Sequence, residues 1–142
     1  MSEIANRLKA VRALLLADTA TAALVDTRVF YPKLPETEAR SMPRAAVVIS
    51  HRGRGAGPGG GFQQHSRTLV GASCWGATDN QAEQVWRAVE GFFKQLPRTL
   101  SGDVYVYSAE PVEGPMLLID PDTQWPYVFA SYSVLASEVA RT

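Results

Sequence analysis

The chain is 142 residues long, 46% hydrophobic and 20% charged, and its 14 basic and 14 acidic side chains cancel. That size suits a single domain spanning 1–142, and the composition is that of a globular protein, which excludes wholesale disorder. A net charge of zero excludes a global attraction to nucleic acid, an anionic membrane or an acidic substrate, so any such contact must come from a local patch.

From Ser2 to about Ala17, Ile4, Leu8, Val11 and Leu15 recur at helical spacing and predict a first helix, with Ser2 as its cap and Asp18 and Thr19 as its stop. A short helical turn is expected around Thr21 to Val25. Arg28 to Tyr31 reads as a strand closed by Pro32, and the polar stretch bracketed by Pro35 and Pro43 reads as a loop. Ala45 to Ser50 is a continuous apolar run and predicts a buried strand.

A run of glycines follows, and the segment at about 52–64 is expected to be a flexible loop, because ordering glycine is entropically costly. Ser66 to Trp75 resumes as a strand with Thr68, Val70, Ala72 and Cys74 on its core face. Thr78 and Gln81 form a capping-box pattern, and Ala82, Val85, Trp86, Val89, Phe92, Phe93 and Leu96 continue as the apolar stripe of a second main helix ending at Pro97. Asp103 to Ala109, Met116 to Asp120 and Tyr127 to Ala136 read as three further strands separated by prolines and Gly114. Strands in runs predict an α+β fold: a mixed, mainly antiparallel sheet with two main helices packed on one face.

Motifs with chemical meaning are weak. Gly55, Gly57 and Gly60 match the spacing of a dinucleotide-binding turn, but the segment joins two strands and holds Pro58, whereas a phosphate-binding turn must open a helix. His51 and His65 flank the glycine run and could approach in a hairpin, yet two nitrogens cannot complete a zinc shell. Cys74 is the lone cysteine, which fits a reducing compartment and reads as a core thiol. Asp120 and Asp122 flank Pro121 and read as a turn. No catalytic, cofactor-binding or metal-binding set is assigned, and no cofactor is expected. The apolar runs are far short of the ~20 residues that span a bilayer, and the start of the chain lacks the pattern of an export signal, so no membrane partner is expected.

Arg52, Arg54 and Arg67 make the glycine-rich region locally basic, with no acidic residue between Ser50 and Asp79. Arginines in such a setting can bind phosphates or an acidic protein surface through paired hydrogen bonds, and these three are the candidate assembly contact.

The order of pieces carries more information than any one motif. Arg28-Val29-Phe30-Tyr31-Pro32 is followed by Met42-Pro43 leading into Ala45-Ala46-Val47-Val48-Ile49-Ser50. After the glycines come Ser73-Cys74-Trp75-Gly76, a helix from Thr78, and Trp125-Pro126-Tyr127-Val128-Phe129-Ala130-Ser131-Tyr132. From about Arg28 to Val134 this resembles the tail-completion, or tail-terminator, family of long-tailed bacteriophages and gene transfer agents. The resemblance implies a virion structural protein and not an enzyme: a homo-oligomeric ring, usually a hexamer, at the head-tail junction of a particle assembled in the host cytoplasm. Its implied partners are the tail tube protein, a head-completion or connector protein, and DNA passing through the lumen without sequence-specific binding. The family's functional residues lie at interfaces and form no fixed motif, so none is carried across. Three alternatives stay open at this point: a head-completion or connector protein, a small enzyme using Cys74, His65, Asp120 or Asp122, and a nucleic-acid-binding module using the arginines.

Overall fold

A computed structural model describes residues 3–40, 42–54, 65–96, 99–101 and 104–138. The elements in chain order are α1 (Glu3–Ala17), α2 (Thr19–Val25), β1 (Val29–Phe30), α3 (Glu36–Ala39), β2 (Ala46–Arg54), β3 (His65–Trp75), α4 (Asp79–Lys94), β4 (Thr99–Ser101), β5 (Val104–Ile119) and β6 (Pro126–Glu138). Among the described residues the strands form one six-stranded sheet in the order β1-β2-β3-β6-β5-β4. Only the β1–β2 pair is parallel; the other pairs are antiparallel. The α+β, mainly antiparallel reading of the sequence therefore holds.

One core joins the two main helices to one sheet face. Leu8, Val11 and Leu15 of α1 and Ala82, Val85, Val89, Phe92 and Phe93 of α4 are buried in the same cluster as Val47, Ile49, Val70, Ala72, Cys74, Val128, Ala130 and Tyr132. These strand residues share a face because cross-strand partners do: Val47 registers with Cys74, which registers with Val128. The amphipathic stripe of α4 explains its position, since a helix with one apolar face must press that face on a sheet.

Local chemistry fixes the ends of α4. The Thr78 hydroxyl accepts from the Gln81 amide at 3.2 Å, as in a capping box, while the Gln81 side chain accepts from the amide one residue before the cap, Ala77, at 2.6 Å. Gly76 lies against this helix start so closely that a Cβ there would overlap the Ala82 amide. At the other helix junction Asp18 does not simply stop α1. Its carboxylate caps α2, accepting from the Thr21 amide at 3.1 Å and the Thr21 hydroxyl at 2.7 Å.

Four sequence readings are revised. The stretch bracketed by Pro35 and Pro43 contains a single helical turn, α3, whose acidic first turn suits a helix N-terminus. Strand β2 continues through His51 to Arg54, so residues 52–54 are strand and not loop, while 55–64, and with them the expected flexible loop, lie outside the described residues. The strands expected at Asp103 to Ala109 and Met116 to Asp120 are one strand, β5, with irregular register around Pro111 and between Glu113 and Met116. Prolines and Gly114 break an isolated strand, but in an edge strand a missing donor is tolerated and a bulge absorbs the kink. Gly114 takes φ +82°, where a side chain would be strained, and a Cβ would also stand 2.5 Å from the Phe129 carbonyl. Finally, the short β4 was not foreseen.

Candidate assembly surface

Burial stops abruptly along β5. Its first part follows the core, with Val104 and Val106 buried, but from Glu110 to Ile119 every residue is exposed. Val112 and the run Met116, Leu117, Leu118 and Ile119 are 38% to 57% exposed, apolar surface of the kind that marks an interaction site. Register shows that both faces take part. Leu117 pairs with Val128 on the helix-covered face, while Met116 and Leu118 pair with Phe129 and Tyr127 on the open face. Next to them Trp75 packs on Tyr127 at 4.4 Å and edge-on to Trp125 at 6.3 Å, which extends an aromatic floor beside the strand.

This same stretch is a sheet edge. β4 covers β5 only from Val104 to Val106, so among the described residues the outer side of β5 has no strand partner from Ser108 to Ile119. Its polar members are acidic: Glu110 and Glu113 lie on the strand and Asp120 and Asp122 at its end. Glu113 accepts from the Ser131 hydroxyl at 3.0 Å. Asp120 accepts from the amides of Asp122 and Thr123 at 2.8 and 3.3 Å, the aspartate turn read from the sequence.

The opposite edge is basic. β1 covers β2 only at Val47 and Val48, leaving β2 from Ile49 to Arg54 without an outer partner among the described residues. Arg52 and Arg54 stand on that edge, Arg52 at a bulge between His51 and Gly53, and Arg54 registers with Thr68, next to Arg67. The three candidate arginines are thus brought to one end of two adjacent strands. Arg67 is partly satisfied: its guanidinium lies 3.9 Å from the Glu110 carboxylate.

Charge is segregated along the chain. From 40 to 78 the chain has five arginines and no acidic residue; from 104 to 138 it has five acidic residues and no lysine, arginine or histidine. A net charge of zero hides two blocks of opposite sign, and the topology puts Arg52 and Arg54 of one on the β2 edge and Glu110 and Glu113 of the other on the β5 edge.

The remaining chemical candidates come apart. His51 registers with Val70, five residues from His65 on β3, so the two histidines are separated by roughly 17 Å along the sheet. Among the described residues no three His, Cys, Asp or Glu side chains are grouped to hold a metal ion. The glycine motif lies outside the described residues, between β2 and β3. Cys74 is fully buried, and burial, with Glu90 nearby, pushes its thiol well above the ordinary range, the opposite of an activated nucleophile. Its neighbour Tyr132 donates to Glu90 and stacks on Phe93 at 4.0 Å, a packed arrangement beneath α4. A groove of about 390 Å³ runs between α4 and the first two helices; Asp18 and Arg87 are its charged lining residues, and Asp18 is engaged as a cap. No described helix is long and apolar enough to cross a membrane.

Comparison with solved structures places this fold. A chain of the native gene transfer agent virion superposes with a TM-score of 0.70 at 15% identity, over 96% of this chain and 99% of that one. The gp17 protein of bacteriophage SPP1 superposes with a TM-score of 0.54 at 16% identity, over 98% and 94%. The fold is shared with phage and gene-transfer-agent proteins along essentially its whole length. No protein-family model matches the chain, and no curated protein matches its sequence. The resemblance read from the sequence thus holds at the level of the fold, where identities this low carry information.

Proposed function

We propose that the chain is a structural component of a phage-type particle, a tail terminator that forms a ring, hexameric by the resemblance, caps the tail tube and offers a docking surface to the head. The observation that carries this reading is the exposed, apolar and acidic length of β5 in a domain whose core is already complete. A finished fold that leaves such a strand uncovered is built to be covered by another protein. A ring of identical subunits needs two different complementary patches on each copy, and the two oppositely charged sheet edges provide two. The partners would be copies of the chain, the tail tube and a head connector, at the head-tail junction of a virion or gene-transfer particle. The buried, unactivated Cys74 and the turn-bound Asp120 do not support the enzymatic alternative.

Light scattering on purified protein, with and without isolated tail tubes, tests the reading. A defined ring, or recruitment of copies to tube ends, is the expected result. A monomer at every concentration that also ignores tubes overturns it. Changing Arg52, Arg54 and Arg67 together to glutamine should leave the fold intact and reduce particle yield; a normal yield would remove these arginines from the assembly role.

A further inference from the structure

The register of the sheet relates its two edges by height. Following partners across four strands, Ser50 stands level with Gly71, Ser131 and Glu113, and Gly53 with Leu69, Ser133 and Glu110. Nearer the other end, Phe30 stands level with Val48, Ser73, Phe129 and Met116, and Val29 with Val47, Cys74, Val128 and Leu117. The open basic stretch of β2 is therefore at the height of Glu110 and Glu113, and the half-buried Phe30 of β1 is at the height of Met116. The irregularity between Glu113 and Met116 falls where the opposite edge changes from β2 to β1.

Direction agrees as well. β2 is antiparallel to β3, β3 to β6 and β6 to β5, so β2 and β5 run in opposite senses. A rotation about an axis along the strands preserves each strand's sense and adds no rise. It would bring β5 of one copy beside β2 and β1 of the next as an antiparallel neighbour, acid level with base and apolar level with apolar.

We infer that β5 from Ser108 to Ile119 docks on the β1–β2 edge of a second copy of this chain, head to tail, and that this junction repeats around the ring. The inference rests on the ring proposed above and names the two surfaces that close it. Pairing of β5 with β5 of a second copy is disfavoured, because Glu110 and Glu113 would meet their own kind and like charges across strands destabilise. The contact is made mainly by side chains. Pro111 and Pro115 lack donors and the register breaks around them, so a long backbone ladder cannot form, which also protects the edge from indiscriminate pairing.

Ser50→Cys combined with Glu113→Cys tests this, with Cys74 buried out of reach. Within one chain the two positions are three strand spacings apart, roughly 14 Å, too far for the ~7 Å limit of a disulfide. Oxidation, or a short bis-thiol linker that tolerates a small shift, should give a ladder of covalent multimers ending at the ring, while each single variant stays a monomer on a denaturing gel. Rings seen by light scattering that give no ladder overturn this junction and leave the ring standing. Covalent dimers from Glu113→Cys alone place β5 on β5 and also overturn it. No association and no ladder at any concentration overturns both. As a second measurement, Glu110→Arg with Glu113→Arg in one variant and Arg52→Glu with Arg54→Glu in another should each abolish assembly while the subunit still unfolds cooperatively, and an equimolar mixture should restore it. Loss in both with no restoration on mixing sinks the proposal.

Discussion

The α4 side of the sheet and the far half of β5 obey opposite rules. Beneath α4 each large side chain has a partner: Phe93 stacks on Tyr132, Tyr132 donates to Glu90, and Val85 and Val89 are fully buried. Along β5 from Glu110 to Ile119, equally apolar side chains face water. The strand is present because β6 holds it by register from Ser133 down to Pro126, and not because its side chains pack. Apolar residues thus have two uses in one chain: one set holds the subunit together, and the other is left for a surface outside it.

The largest effect is expected on the core side. Phe93→Ala should cost about 3–5 kcal/mol, because a buried ring is lost and the stacked face of Tyr132 opens onto a cavity. Urea unfolding measures it; a loss below ~1 kcal/mol would mean that the two regions are packed alike. Trp86, on the same helix, is only half-buried and should cost less than Phe93 when truncated. Gly76→Ala comes next. Its Cβ would press on the Ala82 backbone, which cannot swing aside as a side chain could, and overpacking of this kind typically costs ~1–3 kcal/mol. A neutral result would show that the strand-to-helix joint has slack.

How much of this was legible in the sequence follows the same division. Helical and alternating periodicity found α1, β2, β3, β6 and α4 because burial imposed the pattern: Leu8, Val11, Leu15 and the stripe from Ala82 to Phe93 repeat because one face meets a core. The resemblance also lay in these elements. β5 was split in two because Pro111, Gly114 and Pro115 break an isolated strand, while an edge strand beside β6 absorbs them as bulges. The acidic edge was missed because no periodicity marks a strand that is exposed on both faces. Its trace was the segregation of charge between 40–78 and 104–138, and only topology turns that into two edges of one sheet.

The packed side should also respond to alkali. Burial and the Glu90 carboxylate raise the Tyr132 phenol above its ordinary range, and burial raises the Cys74 thiol in the same direction. Both groups hold their protons longer folded than unfolded. Their contribution is therefore whole below the ordinary values of about 8.5 for cysteine and 10 for tyrosine, and is lost as pH rises toward the raised folded-state values. Unfolding followed across that window should show falling stability, with a shallower fall in Tyr132→Phe. A flat profile in the parent protein would mean that the cluster opens to solvent.

The smallest expected effect on the subunit separates the regions best. Leu117→Ser with Ile119→Ser truncates two large apolar side chains, removing as many carbons as Phe93→Ala does and adding two hydroxyls. Judged by composition alone, the pair should be the more damaging change. Judged by burial, it should be nearly silent, because both side chains are more than half exposed and substitutions at such positions usually fall within about 0.5 kcal/mol. Serine keeps the strand in register, since β6 supplies the ladder and neither site provides a cap or a turn. Unfolding of the double variant as a dilute subunit should therefore match the parent, and its loss should appear only in ring formation. If the subunit itself melts lower by several degrees, then β5 packs on its own domain in solution, and the division between the two regions is not real.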